Sequence, residues 1–550
     1  MSRDLLSRKD LLRSSILSVA ALTLPGKALA RVAPDEIGLD DLKAFTKIAG
    51  LSFAEGELKE ILPDVKDWLT GYPDIRAMAL GDELEPPTVF IPKSHRKLSG
   101  RRGVSVRTVP ARSAYRPSKD EDLAYLSVRE LASLIKSKKV SPVELTELYL
   151  ERLERYGDPL LCVVTLMREQ ALEMARAAER EIQDGRYRGP LHGIPCGIKD
   201  LFAMKGAPTT WGAEPYKNQI LKYDSAVVER LHQAGAIILA KLSMGALAQG
   251  DVWFRGVTKN PWNLKEGSSG SSAGPACATA AGLVAFAVGT ETLGSIMSPS
   301  HRCRVTGLRP TYGRGSRHGA MGLSYTMDKV GPICREAEDC ALVFAALAGH
   351  DPRDRSSVDA PFHYRHDVKL SELKVGIVEP ADKEPKTPLI RETLEKLGVQ
   401  VRDVKLAAIS AAMLVVLEVE AAAAFDDFTR SERIRSLKNS AWPNSFRASR
   451  FVPGVEYLRA QRARAWLMDK FEEDFGDLDA LALSGIGRPA LRIANLTGHP
   501  QVLIPQGADA KGQQLSVSFV GRIYEEADLL ALASAYQRTG GYHRLRPQLT

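Results

Sequence analysis

Two hydrophobic rhythms alternate along the chain. In the first, apolar residues recur at helical spacing: Leu39, Leu42, Phe45 and Ile48 fall on one face, and Leu58, Ile61, Leu62 and Trp68 on another, so residues 34 to 72 are predicted as helices. The same spacing returns in LSVRELASLIKS near residue 126, in VSPVELTELYLERLERY and in REQALEMARAAEREIQ. The second rhythm is a short apolar run. GIPCGIKD follows the long helical stretch, and AVVERLHQAG leads directly into AIILAK. Farther on, LKVGIVE reads as a strand, RETLEKLG as a helix and VQVRDVKL as another strand. Helical segments alternating with short buried runs predict an α/β fold with a mixed sheet.

Punctuation and charge refine the boundaries. Pro86, Pro87, Pro92, Pro110 and Pro117 interrupt any regular element, and the stretch Lys93 to Lys119 carries Arg96, Lys97, Arg101, Arg102, Arg107, Arg112 and Arg116 with few acids nearby. We expect a helical extension at 31–85, a solvated basic linker at 86–120 and the main domain at 121–550. The net charge is +8, but 75 basic residues are interspersed with 67 acidic ones, so no nucleic-acid partner is implied. Six scattered cysteines without a CxxC pair predict neither a disulfide scaffold nor a zinc site.

The N-terminus has the layout of an export signal. SRKDLLRSS is basic, ILSVAALTL is apolar, and Ala28-Leu29-Ala30 is a small-residue cleavage motif. Ser7-Arg8-Lys9 before Leu11 has the form of a relaxed twin-arginine signal. The apolar run is too short to span a bilayer stably. Residues 1–30 are therefore expected to direct export to a bacterial periplasm, the alternative being a frayed helix on a cytoplasmic protein.

The residues that carry chemistry lie in GSSGSSAGPACATAAGLVAFAVGTETLGSIMSPS, residues 267–300. A Gly/Ser-rich turn opens it, small apolar residues follow, and a second serine-bearing turn closes it. Small residues let backbone approach backbone or ligand, and glycine allows dihedrals that point several N–H groups to one side. A flexible linker would not continue into ACATAAGLVAFAVGTETLGSI, which is core. GxxxxGK[ST] is absent, as is an HExxH pair.

This segment resembles the signature of the amidase signature family, in which a GSS turn precedes a GSI turn. The resemblance extends to HGIPCGIKDLF upstream, to GLRPTYGRGSRHGAMGLSYTMDKVGPICREAEDCALVFAALAGHDPRDRSS downstream and to LTGHPQVLIPQG near the C-terminus, covering about residues 121–545. It implies an α/β amidase-signature fold, a mixed central sheet surrounded by helices, here with an N-terminal helical extension. It also implies a triad: Lys199 of GIKD, a bridging cis-peptide Ser271, and the nucleophile Ser295 of LGSI, 24 residues after Ser271. Ser268 and Ser269 lie too far back.

In that chemistry Lys199 serves as a base only when neutral, Ser271 relays the proton, and the backbone N–H groups of Thr292, Leu293, Gly294 and Ser295 hold the oxyanion. The implied substrate is a small-molecule amide, cleaved through an acyl-enzyme without metal or cofactor. Whether the enzyme is a homo-oligomer stays open.

Several residues depart from the family pattern. The family usually has Gly at 293, Arg at 297 and Asp at 291, where this chain has Leu293, Met297 and Glu291; Ser269, Ala273 and Pro275 also differ. A Cβ at 293 restricts the backbone beside the nucleophile, and Met297 removes a buried cation. These departures motivate a rival reading, a non-catalytic binding protein on the same scaffold. A second rival is the glutamine-hydrolysing component of a glutamyl-tRNA amidotransferase, against which the signal-like N-terminus and the segment before residue 121 argue. His192, His301, His318, His350 and His499 offer an alternative base.

Overall fold

The computed structural model describes residues 36–76, 78, 90–92, 94, 96, 103–110, 115–379 and 387–549; the predicted export signal at 1–30 lies outside them. One mixed sheet organises the molecule. Its strands are β1 (Val163–Leu166), β2 (Pro195–Lys199), β3 (Ile237–Leu242), β4 (Phe286–Glu291), β5 (Thr306–Arg309), β6 (Lys329–Cys334), β7 (Lys374–Val378), β8 (Gln400–Val404), β9 (Ala480–Ser484), β10 (Gln501–Ala508) and β11 (Gln514–Gly521). They lie in the order β8-β7-β9-β11-β10-β5-β6-β4-β2-β3-β1. Every residue of β2, β3, β4 and β6 is buried, because helices cover both faces. Such strands read as continuous apolar runs rather than as alternation.

Helix starts follow local chemistry. Ser127 and Ser141 accept the N–H groups of Glu130 and Glu144, whose carboxylates reach back, closing capping boxes on helices Val128–Lys136 and Pro142–Tyr156. The expected elements at 374–378, 390–396 and 400–404 form as strand, helix and strand.

The N-terminal region adds detail to the expectation. On helix Leu39–Ile48 only part of the predicted face is covered: Leu42 is buried, whereas Phe45 is 38% and Ile48 87% exposed. The covered residues of this region, Leu42, Leu58, Ile61 and Val65, form a small cluster with Ala448 of the main body. The stretch read as a solvated linker is largely exposed where it is described, but it is attached to the body at several points. Phe90 is buried, and Val104–Arg107 pairs in parallel with Phe362–Arg365. Arg96 meets Asp479 at 2.6 Å, Arg107 meets Asp367 at 2.5 Å and Arg116 meets Glu144 at 2.6 Å. Most of these acids come from distant parts of the chain, and only Asp120, which also pairs with Arg116, is local.

The sheet places the candidate chemistry at one edge. β2 and β4 are parallel neighbours, with Cys196, Gly197 and Ile198 opposite Phe286, Ala287 and Val288. Their C-terminal ends, Lys199 and Thr290–Glu291, therefore emerge together. Helix Ala273–Ala280 lies over these strands, and a Cβ on Gly274 would meet the backbone nitrogen of Ser243 at 2.4 Å. Gly274→Ala should force this helix off the sheet and destabilise the protein by about 1–3 kcal/mol, the usual cost of overpacking. Thermal unfolding measures this, and an unchanged melting temperature would show that the close approach is not needed.

Candidate active site

Lys199, the last residue of β2, is fully buried. Its Nζ donates to Ser271 Oγ at 2.8 Å and to Thr290 Oγ1 at 2.9 Å, with Thr290 O at 3.4 Å. No carboxylate touches it among the described residues. Burial pushes its amine down from about 10.5 to about 7, against the more distant charges of Asp328 and Glu291.

Ser271 follows a cis Gly270–Ser271 peptide in the loop before helix Ala273–Ala280. Ser272 fastens this loop to β4: its Oγ donates to Thr290 O at 3.0 Å and accepts the Thr290 N–H at 3.2 Å. The Ser272 N–H donates to Ser295 O at 3.0 Å, so one residue joins both serine turns. A second tie is the 2.8 Å hydrogen bond between the hydroxyls of Ser269 and Ser298.

Ser295 sits between β4 and helix Met297–Cys303 and is 9% exposed. Left-handed backbone falls on Gly294 (φ 90°) and not on Leu293, so the Cβ at 293 meets no strain. Leu293 packs partly buried against the main core. Met297 is fully buried with Ile296, Cys303 and Leu491, an apolar setting that suits methionine and no cation.

Glu291 organises this second turn. Its Oε2 accepts the N–H groups of Ile296 and Met297 at 2.8 and 2.9 Å, and its Oε1 accepts Arg309 Nη1 at 2.7 Å and Asn495 Nδ2 at 2.9 Å. Burial works against the carboxylate, but the charge and hydrogen bond of Arg309 outweigh it and hold the group at about 2. Lys329 extends the network by donating to Asn495 Oδ1 at 2.7 Å.

A cavity of about 490 Å³ reaches Thr290 and Thr292 without including Ser271 or Ser295 in its wall. Asp328 borders it. This carboxylate accepts the Thr292 hydroxyl at 2.6 Å and the N–H groups of Leu323 and Ser324, and burial raises its pKa despite the nearby Arg317.

The structure thus brings Lys199 and Ser271 into contact and binds the Ser295 turn to the Ser271 loop. Sequence reasoning named Glu291 only as a departure and missed Ser272, Thr290, Asn495 and Asp328. Thr290 and Ser272 flank quoted residues, so their neighbourhood was visible; Asn495 comes from a helix some 200 positions away. Among the described residues, none of the five candidate histidines hydrogen-bonds to Lys199, Ser271 or Ser295. His192, for example, accepts the Arg188 N–H, and His499 lies between Thr497 and Glu472. No group of residues suited to holding a metal ion occurs among those described, and no described helix is long and apolar enough to cross a membrane.

Comparison with known proteins places this site in context. A glutamyl-tRNA(Gln) amidotransferase chain of Moorella thermoacetica is 32% identical over 484 residues, 78% of this chain and 99% of its own. Among solved structures, an amidase family protein from Bacillus anthracis aligns with TM-score 0.69 at 26% identity, covering 78% of this chain and 94% of its own. The peptide amidase of Stenotrophomonas maltophilia aligns with TM-score 0.67 at 26% identity, covering 77% and 98%. The Amidase family model matches residues 144–503, and the chain belongs to the amidase family.

Proposed function

We propose that this amidase hydrolyses a linear carbon–nitrogen amide bond through an acyl-enzyme on Ser295, with Ser271 and Lys199 as proton relay and base. The observation that supports it most is the buried Lys199 amine, pushed down to about 7 and hydrogen-bonded to Ser271 Oγ at 2.8 Å.

In this reading Ser295 Oγ attacks the amide carbonyl while its proton passes to Ser271 and the proton of Ser271 passes to Lys199. The tetrahedral oxyanion takes the N–H groups of Thr292, Leu293, Gly294 and Ser295. Collapse breaks the carbon–nitrogen bond, Ser271 returns a proton to the departing nitrogen, and ammonia or an amine leaves. Water then repeats the sequence on the ester. The backbone groups need no particular side chain, so Leu293 is compatible with the step.

Glutamine hydrolysis within an amidotransferase is the second reading, favoured by the 32% identity along 99% of the Moorella thermoacetica protein. It uses the same nucleophile, and ammonia release from glutamine separates it from hydrolysis of other amides.

A fluorophosphonate should add once to the protein, with peptide mapping placing the adduct on Ser295, and Ser295→Ala should abolish labelling. An adduct elsewhere would overturn the nucleophile, and none on folded protein would favour a binding protein.

Because Lys199 must be neutral, kcat/KM should rise as pH increases through about 7 and level off above it. Lys199→Ala should lower the rate and flatten this profile; a profile that keeps its inflection in the variant would point to another base.

The same burial has a stability sign. Below pH 7 both folded and unfolded chains hold the Lys199 proton, and the folded state bears the full cost of a buried charge. Between 7 and 10.5 the unfolded chain holds the proton that the folded chain has lost, so the cost shrinks as pH rises. Lys199→Met should therefore raise the melting temperature more at pH 7 than at pH 9. An equal or smaller gain at pH 7 would contradict this.

A further inference from the structure

The cavity that begins at Thr290 and Thr292 holds a charge that the amide chemistry does not use. It comes within one residue of the candidate base, since Thr290, which lines it, accepts a hydrogen bond from Lys199 Nζ through Oγ1. Phe90, Met321, Leu323 and Val330 contribute apolar wall. At about 490 Å³ it falls within the range of small-molecule sites, about 300–1,000 Å³.

The ionic groups of its wall are nearly all engaged. Arg317 faces Asp354 at 3.5 Å and donates to Tyr325 O and Ser356 Oγ, both at 2.8 Å. Arg353 reaches Glu229 at 2.5 Å and Asp351 at 3.0 Å. Asp328 accepts the Thr292 hydroxyl and two backbone N–H groups, and Lys329 turns away toward Asn495. Arg355 is different. It lines the same cavity, is exposed, and has no hydrogen bond or ion pair among the described residues.

The result is a pocket whose wall combines an apolar patch with already paired ions, which reaches the Lys199 partner Thr290 and which carries, in Arg355, an exposed guanidinium with no partner among the described residues. The apolar patch, beside ions that already have partners, disfavours a charge in mid-substrate. A charge at the substrate's far end meets instead a planar fork of donors matched to a carboxylate.

We propose that this cavity receives the part of the amide remote from the scissile bond, and that Arg355 selects substrates ending there in a carboxylate. The proposal rests on the reading of the protein as an amidase and narrows its substrate to amides of apolar-bodied acids. The net charge of +8 adds weak attraction for such anions.

The test uses the full chain and two matched pairs, one for each side of the amide. Glutaryl 4-nitroanilide is compared with pentanoyl 4-nitroanilide, and N-butyryl-4-aminobenzoate with N-butyryl-4-methylaniline. In one pair the acid should be preferred about tenfold in kcat/KM, as a single charge-assisted contact allows, and the preference should shrink as salt rises. Arg355→Ala should erase the ratio, Arg355→Glu should invert it and Arg355→Lys should keep part of it. The ratio within each variant is the readout, so a general loss of activity does not obscure it.

A neutral preference in both pairs, or an acid preference that survives Arg355→Glu, would overturn the proposal. If no substrate turns over and Ser295 does not label, the amidase reading itself fails. Calorimetric titration with glutaric acid monoanilide and pentananilide then still decides the cavity's selectivity: tighter binding of the acid, lost in Arg355→Glu, supports it, and equal binding refutes it.

Discussion

An amine without a carboxylate in contact, enclosed on every side, is the constraint on which the rest of the site depends. Removing an ammonium from water is costly, and a protein ordinarily meets that cost with an ion pair or by giving up the proton. Two buried lysines on neighbouring strands show the contrast, and burial lowers the pKa of both. Lys241, on the neighbouring β3, keeps a partner in Asp200 at 3.0 Å, with both side chains fully buried. Lys199 has hydroxyl and carbonyl oxygens alone, and its pKa falls to about 7. Both lysines are fully buried on neighbouring strands, so burial is not what separates them. The contacting partner is.

That arrangement requires the oxygens around Lys199 to stay in place, and the surrounding hydrogen bonds account for it. Ser272 occupies the N–H and C=O of Thr290 with a single hydroxyl, which fixes the strand that presents Thr290 Oγ1. Through its own N–H it also holds Ser295 O. Glu291, next along β4, fastens the opposite side of the turn by capping the first N–H groups of helix Met297–Cys303. The Ser271 loop and the Ser295 turn are thus both moored to one strand, whose neighbour β2 carries Lys199. Geometry between three distant parts of the chain is reduced to the register of two parallel strands.

This organisation explains what could be read from the sequence. Elements with strong local signals, such as the capped helices at 128–136 and 142–156 and the apolar runs of β2 and β3, are set by nearby residues and were legible. Lys199, Ser271 and Ser295 were singled out through resemblance, because turn sequences around them are distinctive, and the structure places Lys199 against Ser271 and ties the Ser295 turn to the Ser271 loop. Partners supplied across the fold were not legible. Asn495 on Glu291, Asp328 under Thr292, and Asp479 and Asp367 on the basic stretch before residue 121 are separated by tens to hundreds of positions from the groups they satisfy. Helix Leu39–Ile48 failed for the opposite reason: its period was read correctly, but the body covers only part of the face, leaving Ile48 in solvent.

The departures at 291, 293 and 297 become intelligible as a set. A cation at 297 would sit among Ile296, Cys303 and Leu491, with no anion to meet it unless Glu291 turned that way. Glu291 is instead committed to Arg309 and Asn495 on one oxygen and to the helix N–H groups on the other. With its acceptors filled and its charge balanced by Arg309, a neutral methionine at 297 leaves no buried ion unpaired. Leu293 is tolerated because Gly294 takes the positive φ of the turn. Neither change touches the N–H groups assigned to the oxyanion, which are backbone, nor the hydroxyl and amine of the proposed triad. The substitutions alter what surrounds the turn while leaving the turn itself held by the same strand.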